Sequence, residues 1–395
     1  MQHLDKELSI LQDEHQFRSL KDSNRFDDAK IIRDQQNMTS FISNDYLGIA
    51  SNESFKKEFL NEIDNQTSIN FGSASSRLLE GNHQIFNTLE EKVASSYQKG
   101  GCLYMNSGWH ANTGILSCLP QKGDLILSDK LNHASIVDGI RLSSAHFERF
   151  RHKDYQHLTD ILNKKRKDFR QVYIISESLF SMDGDFAELS KLADIKNQFD
   201  SYLIIDEAHS VGAYGNNGLG CVASSGLLNE VDILVLPCGK ALGGVGAFVV
   251  SSQVVKHYLI NKCRSFIFTT ALPTINAAWM NFVWDKLPDM YSSRDKLQEN
   301  INYYNQLMQG FGHQVVSDSY IQPIHVGSNE STIQLSNHLE DHQLVCSPIR
   351  YPTVPKNKSR LRISLTSMHS KSQILQLCKE VTHQLKHTNH EISMA

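Results

Sequence analysis

Six short apolar runs, CLYM, DLILS, VYIISE, YLIID, ILVL and AFVV, recur between Cys102 and Val250 with helix-like segments between them. Strands that are apolar along their whole length, instead of alternating, predict burial on both faces. Strands that alternate with helices make a βαβ rhythm. The chain therefore reads as α/β, with a mostly parallel sheet covered by helices on both sides and ligands at the carboxyl ends of the strands. At 395 residues and 40% hydrophobic content it can bury a large core and hold one sizeable and one smaller domain.

The opening stretch spaces Leu4, Leu8, Leu11 and Leu20 as an amphipathic helix would, which predicts an N-terminal helical arm over 1–45. FISNDYLGIA reads as a strand and turn. HQIFNTLEEKVASSY reads as a helix with Phe86, Leu89 and Val93 on one stripe. A large domain is expected over 46–285. Helical patterns from about Thr274 to Met308, then strand-like pieces and a final helix, predict a smaller α+β domain over 286–395.

Net charge is −4, and the basic run Lys164, Lys165, Arg166 and Lys167 sits among acids, so no nucleic-acid face is expected. The start MQHLDKELSILQDEHQF lacks the apolar core of a secretory signal. No apolar run approaches bilayer-spanning length, so a soluble, cytoplasmic protein with no membrane partner is expected. Seven cysteines, odd in number and without a CxxC pair, argue for reduced thiols over disulfides or a bound metal.

Two of the apolar runs deliver a charge at or just past their carboxyl ends: Asp206 after YLII and Lys240 after ILVLPCG. A lysine among glycines can form a Schiff base with an aldehyde. Pyridoxal phosphate, in turn, needs a carboxylate to keep its ring nitrogen protonated. Alone, the Asp is an ordinary turn residue and the GK pair ordinary surface punctuation; together they indicate a pyridoxal-phosphate enzyme. MNSGWHANTG places Ser107 and Gly108 between a strand and a helix, where backbone N–H groups can hold a phosphate or simply cap the helix. His133 lies at a strand-to-helix junction, able to stack on a planar ring or to serve as an ordinary hydrogen-bonded residue. SESLFSMDGD carries Ser181 and Asp183 in a loop that also reads as an Asp-Gly turn, and His209 follows Asp206 by three residues.

With NDYLG, GSASSRLLEGN, SGWHAN, NHAS, SMDGD, DEAHSVGAYG, GKALGG, FTTALP and PIRYPTVP in this order, the chain resembles the α-oxoamine synthases across roughly Asn44 to His369. That resemblance implies a fold-type-I, aspartate aminotransferase-like transferase using pyridoxal 5'-phosphate. By it, Lys240 would bind the cofactor and act as base, Asp206 would pair with the ring nitrogen, and His133 would stack on the ring. Ser181 and His209 would bond the phenolic oxygen, and Gly108 and Trp109 would contact the cofactor through their backbone. Thr269 and Thr270 would reach the phosphate from the other subunit of a homodimer, Asn44 and Arg362 would bind the amino-acid carboxylate, and Thr353 would touch the acyl substrate.

SMDGD and IRYPTVP resemble most the branch that condenses L-alanine with a pimeloyl thioester, of CoA or of acyl carrier protein, for biotin synthesis. Other branches would be a 2-amino-3-ketobutyrate ligase or a long-chain quorum-signal synthase. A catalytically silent subunit has no need of Lys240. Two positions depart from the family pattern. Pro237 stands where a phosphate-binding threonine is usual, so one charge-assisted hydrogen bond, about 1.5–3 kcal/mol, is expected to be missing. Lys21 aligns with the arginine that in some members meets the pimeloyl carboxylate, with Arg18 and Arg25 as alternatives.

Overall fold

In the computed structural model, which describes residues 1–25, 29–63 and 69–394, the chain forms two units. One comprises Asn52–Phe180 and Phe186–Ser292; the other comprises Met1–Ser51, Ser181–Asp185 and Ser293–Ala395.

The first unit is built on a seven-stranded sheet. Its spatial order is Gly101–Met105, Ala247–Ser251, Ile233–Pro237, Tyr202–Asp206, Val172–Glu177, Leu125–Asp129 and His146–Phe150. The last five strands are mutually parallel, and Ala247–Ser251 runs antiparallel to both of its neighbours. The six apolar runs are these buried strands. The seventh, HFERF, lies at the sheet edge with most of its residues exposed, so it carries no apolar run to announce it.

Alternate strand residues, among them Leu103, Met105, Ile126, Ile175, Ile204, Val235 and Val249, point to one face. There they pack against Ile115 and Leu116 of helix Gly108–Cys118 and Ile136 and Ile140 of helix Ala134–Leu142. Each such side chain removed from water stabilises the unit by roughly 1.5–3 kcal/mol before entropy is counted. The two helices meet at Gly139, where a Cβ would lie 2.8 Å from Asn112 O and 3.0 Å from Leu116 Cβ. Glycine there lets the backbones approach closely enough for Asn112 to reach across to Ser135 Oγ, 3.0 Å away.

The second unit holds two small sheets. Asn24–Arg25, Lys30–Arg33 and Gln36–Ser40 form an antiparallel meander that adds Leu344–Val345 in parallel. Ile321–Gly327, Ser359–Ser364 and Ser347–Ile349 form an antiparallel trio. Helices Asn329–Asp341 and Lys371–Met394 pack on each other beside them. The expected helical arm over 1–45 is therefore mostly not helix. The helix covers only Gln2–Asp13, excluding Leu20, and the three strands that follow are too short and polar to show an apolar alternation. FISNDYLGIA is loop and turn; the strand ends just before it, at Ser40.

His369 ties this unit together. Its ring stacks on Phe41 at 4.2 Å, Nδ1 accepts the Thr366 N–H at 2.9 Å, and Nε2 donates to Ser40 O at 3.0 Å. Burial pushes its imidazole down to about 4, outweighing those bonds. The unfolded chain then binds one more proton between about pH 4 and 6.5, so this contribution is complete above pH 6.5 and is lost as pH falls toward 4. It amounts to about 3 kcal/mol. Buried Glu177 and Glu207, pushed up to about 8 and about 7, act with the opposite sign over part of that range, so a paired comparison is needed. Urea unfolding at pH 7 and pH 5 should show wild type losing about 2 kcal/mol more than His369→Gln; equal losses would exclude the titration of His369 as the cause.

Candidate active site

Adjacent parallel strands of the seven-stranded sheet end on acids. Asp206 closes its strand at 4% exposure, and its register partner Glu177 closes the next at 3%. Asp206 accepts two N–H donors: Ala208 N–H to Oδ1 at 2.8 Å, and Asn112 Nδ2–H to Oδ2 at 2.7 Å. Both oxygens are thereby oriented, as suits an anion held away from water. Glu177 accepts the His133 N–H at 2.6 Å, and burial with the neighbouring Asp206 pushes its carboxyl up to about 8 against the opposing Lys240. The two carboxyl groups lie side by side in different surroundings: Asp206 has two N–H donors, Glu177 one.

Lys240 sits in the turn after Ile233–Pro237. Gly243 N–H to Lys240 O at 2.8 Å, Gly244 N–H to Cys238 O at 2.9 Å and Cys238 N–H to Gly246 O at 2.9 Å hold that turn. Gly246 has φ +98°, and a Cβ there would collide with the Tyr104 ring at 2.4 Å, so only glycine closes it. Lys240 Nζ lies 2.8 Å from His209 Nε2. His133 caps helix Ala134–Leu142, its Nδ1 accepting the Ser135 N–H at 3.2 Å. Burial pushes its imidazole below the usual range, with Asp206 opposing, which leaves a neutral, flat ring. Trp109, 46% exposed, meets that ring edge-on at 6.1 Å.

At the start of helix Gly108–Cys118, the Ser107 side chain accepts the His110 N–H at 3.2 Å. The N–H groups of Gly108 and Trp109 have no acceptor among the described residues. Such a terminus attracts an anion. A Cβ on Gly108 would lie 2.8 Å from Pro237 Cγ, so the side chain at 237 abuts this helix start. Thr269 and Thr270 are tethered to the same region of their own chain, where Asn106 Nδ2 donates to Thr269 Oγ1 at 3.3 Å and to Thr270 O at 2.8 Å.

An amine, an oriented carboxylate and a helix start with free N–H groups complement an aldehyde, a ring N–H and a phosphate. The residues fit pyridoxal phosphate. One further buried polar atom, Asn112 Oδ1, lacks a partner among the described residues.

In the second unit, Arg362 is 6% exposed and bonds only neutral oxygens. Nη2 reaches Asn44 Oδ1 at 3.2 Å and Tyr46 Oη at 3.3 Å, Nε reaches Ser181 O at 2.6 Å, and Nη1 reaches Ser364 Oγ at 2.9 Å. No carboxylate among the described residues neutralises it. Asn44, Ser181 and Arg362 are thus brought together. Thr353 lies elsewhere in the unit, its Oγ1 accepting from Arg18 Nη2 at 3.0 Å. Both line a cavity of about 710 Å³ together with Arg350, Tyr351, Lys21 and Ile42. Arg350 donates to His15 O at 2.6 Å; burial, and next the nearby Arg18, push its guanidinium below the usual value. Lys21 is otherwise engaged, bonding Glu340 at 2.7 Å, and Arg33 meets the same carboxylate at 3.0 Å. Arg25 pairs with Asp45 at 2.9 Å. Of the three cations weighed for the acyl carboxylate, Arg18 alone has no carboxylate partner among the described residues.

Residues 36–381 match the aminotransferase class I and II family. A Haemophilus influenzae relative, provisionally named 8-amino-7-oxononanoate synthase, is 43% identical over 375 residues, 94% of this chain and 97% of its own. The 8-amino-7-oxononanoate synthase of Francisella tularensis superposes with TM-score 0.77 at 32% identity, covering 89% of this chain and 99% of that one. The chain belongs to the α-oxoamine synthases. A Sphingomonas wittichii serine palmitoyltransferase superposes with TM-score 0.89 at 25% identity over 98% and 97% of the two chains. The fold is type I and the cofactor is pyridoxal 5'-phosphate.

Asn112 and Glu177 beside Asp206 in the first unit, and Tyr46 beside Arg362 in the second, were not singled out from sequence. Glu177 carries the same signal as Asp206, an acid closing an apolar strand. Asn112 offers a weaker one, a polar side chain on the buried stripe of ANTGIL. Tyr46 gives none, since its role depends on the distant Arg362.

Because position 237 abuts the Gly108 helix start, Pro237→Thr should supply the hydroxyl the phosphate cradle lacks and slow cofactor dissociation by up to roughly tenfold. Dissociation measured by loss of cofactor absorbance checks this; unchanged or faster release would show that another group already serves the phosphate.

Proposed function

We propose that this α-oxoamine synthase joins L-alanine to a pimeloyl thioester, of CoA or acyl carrier protein, giving 8-amino-7-oxononanoate, carbon dioxide and the free thiol for biotin synthesis. The observation that carries the acyl choice is the cavity in which Arg18 and Arg350 lie close together with no carboxylate partner among the described residues. Two guanidinium groups on one cavity wall repel each other and attract an anion, so such a cavity favours an acyl chain with an anionic end over an acetyl or alkyl chain. The names of the Haemophilus and Francisella relatives support the same reading.

Bound pyridoxal phosphate supplies an electron sink for the amino acid's Cα. Lys240 Nζ is the group placed to take and return the Cα proton, and His209 Nε2 at 2.8 Å orients it. Asp206, steadied by Asn112 and Ala208, holds the proton of a ring N–H. His133 offers its neutral face to the ring. Arg362, with Asn44, takes the amino-acid carboxylate on a planar fork whose present partners are all neutral. Ser181 and His209 serve the phenolic oxygen, Gly108 and Trp109 the phosphate, and Thr353 the acyl chain beside Arg18.

We also infer a homodimer, in which Thr269 and Thr270 serve the partner's phosphate. Phe71, Leu79 and Phe268, each at least 70% exposed in one chain, support a covered face. No described helix is long and apolar enough to cross a membrane, in keeping with a cytoplasmic setting.

Arg18→Ala should raise KM for pimeloyl-CoA about 10- to 100-fold with kcat little changed, the loss of one charge-assisted bond. Lys21→Ala should change KM less than about threefold, because Arg33 still meets Glu340. Steady-state kinetics on the two variants separates the assignments; a large effect at Lys21 with none at Arg18 would reverse them.

A further inference from the structure

Helix Asn329–Asp341, the His342 that caps its end, and helix Lys371–Met394 bring four metal-ligating side chains near one another: His338, His342, Glu380 and His383. His338 and His342 are four residues apart and Glu380 and His383 three apart, so each pair lies on one helical face. We propose that His338, Glu380 and His383, with His342 as the fourth ligand, form a zinc site that clips these helices together.

The geometry is nearly that of a bound ion. One ligand atom from each of His338, Glu380 and His383 lies within 4.8 Å of the others. Glu380 Oε2 is 3.4 Å from His338 Nε2 and 3.5 Å from His342 Nε2. Zinc bonds of about 2.0–2.1 Å in a tetrahedron set ligand atoms roughly 3.4 Å apart, close to the two Glu380 distances.

Two nitrogens are prepared for it. His342 Nδ1 donates to the His338 carbonyl at 2.8 Å, which leaves the Nε2 lone pair toward Glu380. This is how metal-binding imidazoles are oriented. His338 Nε2 is buried, 3.4 Å from Glu380 Oε2 and with no closer polar partner among the described residues. Three imidazoles and one carboxylate are a ligand set that suits zinc.

The test is a zinc titration of chelator-treated holoenzyme against a chromophoric competitor. One equivalent per chain should bind with Kd below about 1 µM at pH 7.5 and raise the melting temperature. In His338→Ala/His383→Ala that equivalent should weaken about a hundredfold or more and the melting shift vanish, with cofactor absorbance kept. Glu380→Gln, which alters no packing volume, should weaken zinc in the same direction and guards against misfolding of the double variant. Cobalt(II) loading should give visible bands without thiolate charge transfer. Absence of zinc binding by wild type, undiminished binding by both variants, or a thiolate band placing the metal on cysteine would each overturn the proposal. A Glu380–His342 ion pair would then account for the cluster.

Discussion

The hydrogen bonds that hold Asp206 at the end of its strand are the interaction on which the rest of the site depends. A carboxylate this buried costs several kcal/mol unless donors surround it. The donors come from two places: Ala208, in the turn that follows, and Asn112, on a helix brought close by Gly139. The fold thus invests in the anion before any ligand arrives. Beside it, at the carboxyl end of the neighbouring strand, burial and Asp206 push the Glu177 carboxyl up to about 8. Lys240, within the electrostatic reach of both, is fixed by a glycine turn and by His209.

The second unit uses charge in a complementary way. Arg362 and Arg18 are surrounded by neutral acceptors, whereas Lys21, Arg33 and Arg25 are consumed in ion pairs. A guanidinium left with neutral partners keeps its charge available to an anion; one with a carboxylate partner is already neutralised. This distinction, not the residue type, separates Arg18 from Lys21.

Much of this was legible in the chain. Continuous apolar runs announced six strands of the large sheet because burial on both faces leaves no room for alternation, and the edge strand His146–Phe150 escaped because exposure removes that signal. Asp206 and Lys240 stood out as charges at or just past the ends of such runs. Glu177 stood out equally and was passed over, since nothing local says that two adjacent acids share one edge. Lys21 was favoured over Arg18 because the partner that occupies it, Glu340, is more than three hundred residues away in sequence. The His338, Glu380 and His383 cluster is hidden likewise. Each helix shows an ordinary polar face, and only their packing brings the ligand atoms together.

The most direct measurement supplies the holoenzyme with L-alanine labelled at the carboxyl carbon and with pimeloyl-CoA, and follows labelled carbon dioxide and free thiol together. The account predicts one carbon dioxide per thiol, with a higher kcat/KM than glycine with acetyl-CoA or 2-aminobutyrate with decanoyl-CoA. Thiol release without labelled carbon dioxide, or faster turnover of decanoyl-CoA than of pimeloyl-CoA, would contradict it.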